Sequence, residues 1–375
     1  MAAKELLAKE LLEKNAKLYL KLCCYWLCSL IEFGIVGLSK FVEVCGGIEH
    51  VFSVKDEQIS ASGEIPYKLK REILKTRDIS VIEREYNKLS ERGISFVGCM
   101  DEDFPEKLKY IANCPFGLFY KGVLPDPDKK TVAIVGARNP SPFGLETARH
   151  FGEVLAYAGV QVISGLALGI DGRAHAGALE AGHKTWGILG CGVNICYPQE
   201  NIQLFEQMKT QGGIISEFKP GQRPLSWHFP FRNRIISGLS DGIVVVEARK
   251  KSGSLITAGF GLEQGKDIFA VPGRPVDELS EGCNSLILDG ATMVTGPEDI
   301  LEDYKISVKL PVKNKFVLDN LEKLVYPSLC LDAKSIEQIA YEARLDYTHT
   351  AKALLSLSVK GCARQVGKNY YIKKL

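Results

Sequence analysis

Leucines at positions 6, 7, 11, 12, 18 and 20 recur at helical spacing between lysines and glutamates, an amphipathic pattern. With interruptions it continues to about residue 75 and predicts a small helical N-terminal domain. Further along, the pattern changes to short apolar runs at 132–135, 160–164, 185–189, 213–216, 242–246, 267–271 and 291–294, each of strand length. Helical segments at 145–157, 170–180, 200–209, 233–238 and 257–263 separate most of them. Ile243-Val244-Val245-Val246 is apolar on both faces, the mark of a parallel strand covered on both sides. This alternation predicts a Rossmann-like, doubly wound, mostly parallel α/β domain over 76–302.

A Lys-rich stretch at 303–316 containing Pro311 reads as a linker, and 317–375 as a separate module. Ser335-Ile336-Glu337-Gln338 is a capping-box pattern opening a short helix. A second helix over 348–359 and a hairpin at 362–366 and 370–372, around Gly367, follow. Helix, turn, helix and hairpin in that order describe a winged helix. Its second helix carries only Lys352 and His349 as basic-capable groups, thin for major-groove reading. Near the N-terminus, the segment from Ile31 to Leu38 places Gly34 and Gly37 in a turn between helices. Such a turn resembles a degenerate helix-hairpin-helix, whose N–H groups can face a phosphate. An ordinary helix connection is favoured, because the loop lacks the Gly-Ile-Gly order and Glu32 would repel an anion.

Composition changes this picture little. At 375 residues, 46% hydrophobic and 25% charged, the chain is long enough for two or three globular domains. A net charge of +2 means that any basic surface must be local. The 11 cysteines form no paired CxxC motifs, so zinc is not expected, and Cys23, Cys24 and Cys28 sit among Leu, Tyr and Trp as small hydrophobes. Such usage fits a reducing cytoplasm. The apolar stretch from Leu22 to Ile31 is closed by Lys21 and Glu32, too short to cross a bilayer.

Candidate chemistry lies in the loops after the strands, where ligands of such sheets bind. They read Gly136-Ala137-Arg138-Asn139-Pro140-Ser141-Pro142-Phe143-Gly144, then Ser164-Gly165 through Gly169-Ile170-Asp171 to Ala174-His175, then Gly190-Cys191-Gly192, then Lys250-Lys251-Ser252-Gly253-Ser254. Glycine lets backbone N–H groups approach a phosphate at a helix start, and Arg138 and Lys251 add charge. Each glycine also has a plainer reading, as a tight strand–helix turn. No G-x-G-x-x-G fingerprint or Walker loop is present, so no nucleotide cofactor is expected.

Phe229-Pro230-Phe231-Arg232-Asn233-Arg234, preceded by Arg223, Trp227 and His228, is the densest basic-aromatic cluster. Arginines interleaved with rings suit a single strand, whose phosphates meet Arg while its bases stack. In the alternative, the phenylalanines are core and an arginine pairs internally with Asp171 or Glu247; at least one arginine is expected to do so. Asp171 and His175, four apart on a predicted helix, could complete a hydrolase-like set with Ser164 or Ser252. No nucleophile elbow accompanies them, so a structural pair is preferred and no catalytic residue is expected.

The run from Val132 to Ser141 resembles the Gly-Ser-Arg loop of the DprA/Smf family, with Ala137 where serine is usual. Also similar are Ser164-Gly165 to His175, Tyr197-Pro198 with Asn201, Ser216-Glu217, Phe229-Pro230 with Arg232 to Ile236, Lys251 to Ala258, Phe269 to Gly273 and Asn284 to Ile287. The resemblance covers about 101–296. It implies a non-enzymatic protein that binds and protects incoming single-stranded DNA and helps load the RecA recombinase in natural transformation. It implies a homodimer through the Rossmann-like domain, with Asn284, Leu286, Ile287 and Leu288 near the contact. For DNA it implies Gly136, Arg138, Ser164, Gly165, Arg223, Phe229, Arg232, Asn233, Arg234 and Lys251. Arg138→Ala and Arg232→Ala are each expected to weaken binding without unfolding the protein. Ser226 stands where related proteins often place a basic residue. The alternative is a nucleotide-processing phosphoribohydrolase of the lysine-decarboxylase-like group, whose catalytic loop has only a loose counterpart in 253–263.

Overall fold

The computed structural model describes residues 2–307 and 317–374, with side chains of the first helix from residue 15 onward. The packing of Leu6, Leu7, Leu11 and Leu12, and most of the expected linker with Pro311, lie outside the described residues. The chain opens on helix Ala2–Ser29, followed by helices Ile35–Cys45, Asp56–Ala61, Tyr67–Thr76 and Ile79–Glu91. Helical structure therefore runs past residue 75; Asp78 caps the last of these helices, accepting from the N–H groups of Ser80 and Val81. Of the two glycines in the 31–38 turn, only Gly34 turns the chain, at φ 96°. Gly37 is inside the next helix, where a Cβ would meet Pro66 and Leu69 at 3.1 Å. That is a packing contact rather than an anion cradle.

The central sheet has nine strands: β1 (Ser95–Gly98), β2 (Gly117–Gly122), β3 (Thr131–Val135), β4 (Gln161–Ser164), β5 (Thr185–Ile188), β6 (Gly212–Ser216), β7 (Gly242–Val245), β8 (Asp267–Ala270) and β9 (Thr292–Met293). Their order is β1-β2-β6-β5-β4-β3-β7-β8-β9. From β6 to β9 every pairing is parallel, while β1 and β2 join antiparallel at one edge. The fold is Rossmann-like and doubly wound. Strands β3 to β7 are buried along their whole length because helices cover both faces. The antiparallel pair was not legible in sequence, since both strands are short and end on glycine. It ties the N-terminal helices to the sheet: Tyr25 packs edge-on against Phe96 and Phe119 at 5.6 and 5.8 Å, and one core cluster spans both regions. Cys23, Cys24 and Cys28 are fully buried in it.

The chain leaves β3 to build β4, β5 and β6 on one side, then crosses to β7, β8 and β9 on the other. The switch point therefore lies between β3 and β7, and the loops leaving these two strands flank the crevice where such sheets bind ligands.

The C-terminal module contains helices Asn320–Val325, Ile336–Ala343 and Tyr347–Val359, with a sheet β10-β12-β11 made of β10 (Lys334–Ser335), β11 (Ala363–Gly367) and β12 (Tyr370–Lys373). The Ser335/Gln338 capping box forms as the sequence predicts. Arg364 reaches from this module to the buried Glu146 of the central domain at 3.0 Å, and Arg274 pairs with Asp332. On helix Tyr347–Val359, His349 is held by Asp346, and Leu355 and Val359 are exposed beside Lys352. That face is poor in groups that read a duplex. Among the described residues no helix is long and apolar enough to cross a membrane.

Candidate nucleic-acid interface

The crevice at the switch point holds a cavity of about 220 Å³. Gly136 and Arg138 line it after β3, Asp171 and Ala167 after β4, and Ser252, Gly253, Ser254 and Thr257 after β7. Phe229, Arg232 and Asn233 close it from helix His228–Leu239.

Most of the polar apparatus here is internal. The N-terminus of helix Pro142–Tyr157 is occupied by Glu247, whose carboxylate accepts from Ser141 N at 2.9 Å and Ser141 Oγ at 2.5 Å. Helix Ile170–Glu180 carries Asp171 in its first turn, and that carboxylate accepts from Gly165 N at 3.0 Å. Both starts thus have partners of the protein's own: Glu247 holds the first, and in the second the N–H groups of Ile170 and Gly172 donate to the Ala137 and Ala167 carbonyls. The third, helix Gly253–Glu263, does not. Its N-cap Ser252 only exchanges a hydrogen bond with the Ser254 hydroxyl at 2.8 Å and accepts a long one from Ser254 N. A Cβ on Gly253 would meet nothing within 4 Å, so this helix start opens to the cavity.

The glycines divide the same way. A Cβ on Gly136 would strike Ile170 at 2.6 Å, one on Gly144 the Glu247 carboxylate at 2.4 Å, and one on Gly165 the Arg232 guanidinium at 2.6 Å. These glycines allow close internal packing, their plainer reading. Ser164 is likewise beneath the floor and donates to Ile134 O at 2.6 Å.

The arginines of the Phe229–Arg234 segment also part company. Arg234 is buried, and its Nη2 donates to both carboxylate oxygens of Glu217 at 2.8 Å, with the guanidinium 4.0 Å from the ring of Phe231. The sequence-based expectation of an internal pair holds, but the partner is Glu217 rather than Asp171 or Glu247. Arg232, 5% exposed, donates to the carbonyls of Gly165 and Ile188 and to Asn233 Oδ1. Burial lowers its pKa to about 10, opposed by the charge of Asp171, while burial pushes the Asp171 carboxyl upward against the charge of Arg232. Asn233 Nδ2 reaches Gly253 O at 3.4 Å and so joins the pocket floor to the open helix start.

Arg138, Arg223, Lys250 and Lys251 are exposed and make no side-chain ion pair among the described residues. The guanidinium of Arg138 stands 5.8 Å above the ring of Phe229, which packs at 5.3 Å against Tyr197. Tyr197 is a ring that residue-level reading did not place at the site; its adjacency depends on a loop 32 positions from Phe229. Ala137 is buried.

The hydrolase-like set does not assemble. His175 Nδ1 lies 2.7 Å from Thr185 Oγ1 instead of meeting Asp171, and burial lowers its pKa to about 3, so it is neutral. Among the described residues no cluster of metal-ligating side chains is present. Asn284, in the segment expected at a dimer contact, is bonded through both side-chain ends to the backbone of Gly273. Leu286 and Ile287 lean on the core, and Leu288 is 88% exposed.

With this geometry in view, comparison with known proteins is specific. The DNA processing protein DprA of Bacillus subtilis is 41% identical over 230 residues, covering 59% of this chain and 77% of that protein. DprA of Streptococcus pneumoniae is 40% identical over 228 residues, covering 61% and 79%. The crystal structure of the S. pneumoniae protein superposes with a TM-score of 0.64 at 32% identity, covering 76% of this chain and 97% of that one. A Helicobacter pylori DprA structure, described for its single-stranded DNA binding mode, gives 0.51 at 27% identity, covering 56% and 95%. Residues 95–305 match the DNA recombination-mediator protein A family, and the chain belongs to that family.

Proposed function

We propose that this chain binds single-stranded DNA at the switch-point crevice and works as a DNA-processing protein in recombination, without catalytic turnover. The observation that carries this reading is the open start of helix Gly253–Glu263, facing the same cavity as the unpaired Arg138 and the ring of Phe229. An N–H cluster and a guanidinium suit a backbone phosphate, and a ring beside them suits a base. Arg138, Lys251 and Arg223 meet the strand; Arg232, Arg234, Ser164 and Gly165 shape the crevice from within. The relatives that bear the DprA name, and the single-strand mode described for the H. pylori protein, support the same reading.

The phosphoribohydrolase alternative is weaker. The loose counterpart of that group's catalytic loop, 253–263, brings Gly253, Ser254, Ile256 and Thr257 to the cavity and no carboxylate. Homodimerisation through the Leu288 face, next to the free edge of β9, and loading of RecA complete the proposed role. A salt titration of single- against double-stranded oligonucleotides tests it. Single-strand preference that weakens with salt is expected; equal or tighter duplex binding, or release of free base from nucleoside monophosphates, would overturn it.

A further inference from the structure

Trp26 and Trp186 are 1% and 4% exposed, whereas Trp227 is 42% exposed. Its indole is nonetheless held firmly. It stands edge-on to His228 at 4.3 Å, with Phe218 and Phe231 at 6.1 and 5.9 Å. His228 is itself stacked on Phe218 at 4.0 Å, with Nδ1 2.9 Å from Gly190 O. The loop that carries Trp227 is pinned to the loop after β5: Gly192 N donates to Gln222 O at 2.9 Å, and Gly221 N to Asn194 Oδ1 at 2.7 Å. A large ring fixed at its edges and open on its surface is a preorganised platform rather than a stray surface residue.

Its surroundings point to what it receives. Arg223 and Leu225 are exposed beside it in the same loop, and Arg223 has no carboxylate partner among the described residues. Two positions onward, Phe229 enters the switch-point cavity. On the other pinned loop, Tyr197 is 46% exposed and packs on Phe229. Exposed rings and unpaired cations thus continue from the anion cavity onto the outer loop.

We propose that Trp227 is a base-stacking platform that extends the single-strand site beyond the cavity, with Arg223 taking a backbone phosphate beside it. The proposal rests on the function argued above and deepens it. Every base presents a π-face to an indole, so the contact tolerates any sequence. A protein partner would use the same Trp and Arg as anchors; continuity with the anion cavity favours nucleic acid.

The test uses the full chain with a dT oligonucleotide of about 20 nucleotides and an abasic strand of equal length. The expected result is quenching of tryptophan emission by the dT strand, lost in Trp227→Phe because the remaining indoles are buried. Trp227→Ala should weaken dT binding about 5- to 150-fold, the range for one stacked base, with Trp227→Phe retaining most of the affinity. On the abasic strand Trp227→Ala and the wild type should bind alike. Binding of dT by the wild type without quenching overturns the proposal even if Trp227→Ala fails to fold, and so does an equal loss on both strands in a Trp227→Ala that keeps the wild-type melting temperature. Unchanged DNA affinity with loss of a protein partner would overturn it in favour of a protein anchor. No dT binding by the wild type at low salt would instead break the underlying reading of the crevice.

Discussion

The crevice has two arginine populations on one short stretch of surface, and they do opposite work. Arg232 and Arg234 are buried: Arg234 spends its donors on the Asn113 and Phe231 carbonyls and on Glu217, and Arg232 gives Nε and Nη1 to Asn233 and the Gly165 and Ile188 carbonyls. Arg138 and Arg223 are exposed and unpaired among the described residues. A buried guanidinium has already lost its water and needs its donors satisfied within the fold, so those spent on internal partners cannot also serve an incoming phosphate. An exposed one keeps its charge available. The lesson is that a run rich in Arg and aromatic residues does not by itself declare which positions meet a ligand.

The largest test of this contrast is Arg234→Ala. It strands the buried Glu217, whose pKa burial already raises, and should cost about 3–5 kcal/mol in denaturant unfolding. Replacing both partners with apolar residues should recover much of that loss. Arg232→Ala should likewise lower thermal stability, by leaving Asp171 and the Gly165 and Ile188 carbonyls unserved. This revises the expectation that its effect is on affinity alone. If either variant keeps wild-type stability and loses only DNA affinity, the division between the populations fails.

A second internal group sharpens the same side through pH. His175 has its folded pKa lowered to about 3 by burial, against about 6.5 unfolded. The unfolded chain therefore binds the extra proton between these values, and folding stability falls as pH drops through that window. The slope is about 1.4 kcal/mol per pH unit for one proton. Unfolding titrations of the wild type and His175→Asn should show that slope reduced by about one proton in the variant.

On the exposed side, Arg138→Ala should weaken single-strand binding about tenfold and flatten the salt dependence by about 0.7 in log–log slope, for one phosphate contact. Its melting temperature should not move. A drop in stability with unchanged affinity would place Arg138 in the internal population. The smallest effect is expected for Leu288→Glu: a shift from dimer to monomer in light scattering, with the circular dichroism of the folded chain unchanged.

The parallel strands and their helices were legible because buried strands need unbroken apolar runs, and those runs stand between clear helical segments. Helix Ile170–Glu180 falls on the predicted bounds. The antiparallel edge pair was not, because strands of four and six residues ending on glycine carry little periodic signal. Gly-rich loops announced helix starts at a strand edge, yet Gly136, Gly144 and Gly165 proved to be points of close packing. Nothing local distinguishes them from Gly253, since the same residue type serves both needs.

Sequence by itself determined the class of sheet, the edge on which ligands would bind, the capping of the C-terminal helix at Ser335, and the family resemblance. These are encoded by neighbours in the chain, through period, cap and motif. Only the tertiary structure decided which charges were already taken. Glu247 and Ser141 are 106 residues apart, Arg232 and Gly165 are 67 apart, and Phe229 on helix His228–Leu239 meets Tyr197 from a separate loop. Whether a polar group is spent or free depends on partners that folding brings from far along the chain, and no local pattern records that choice.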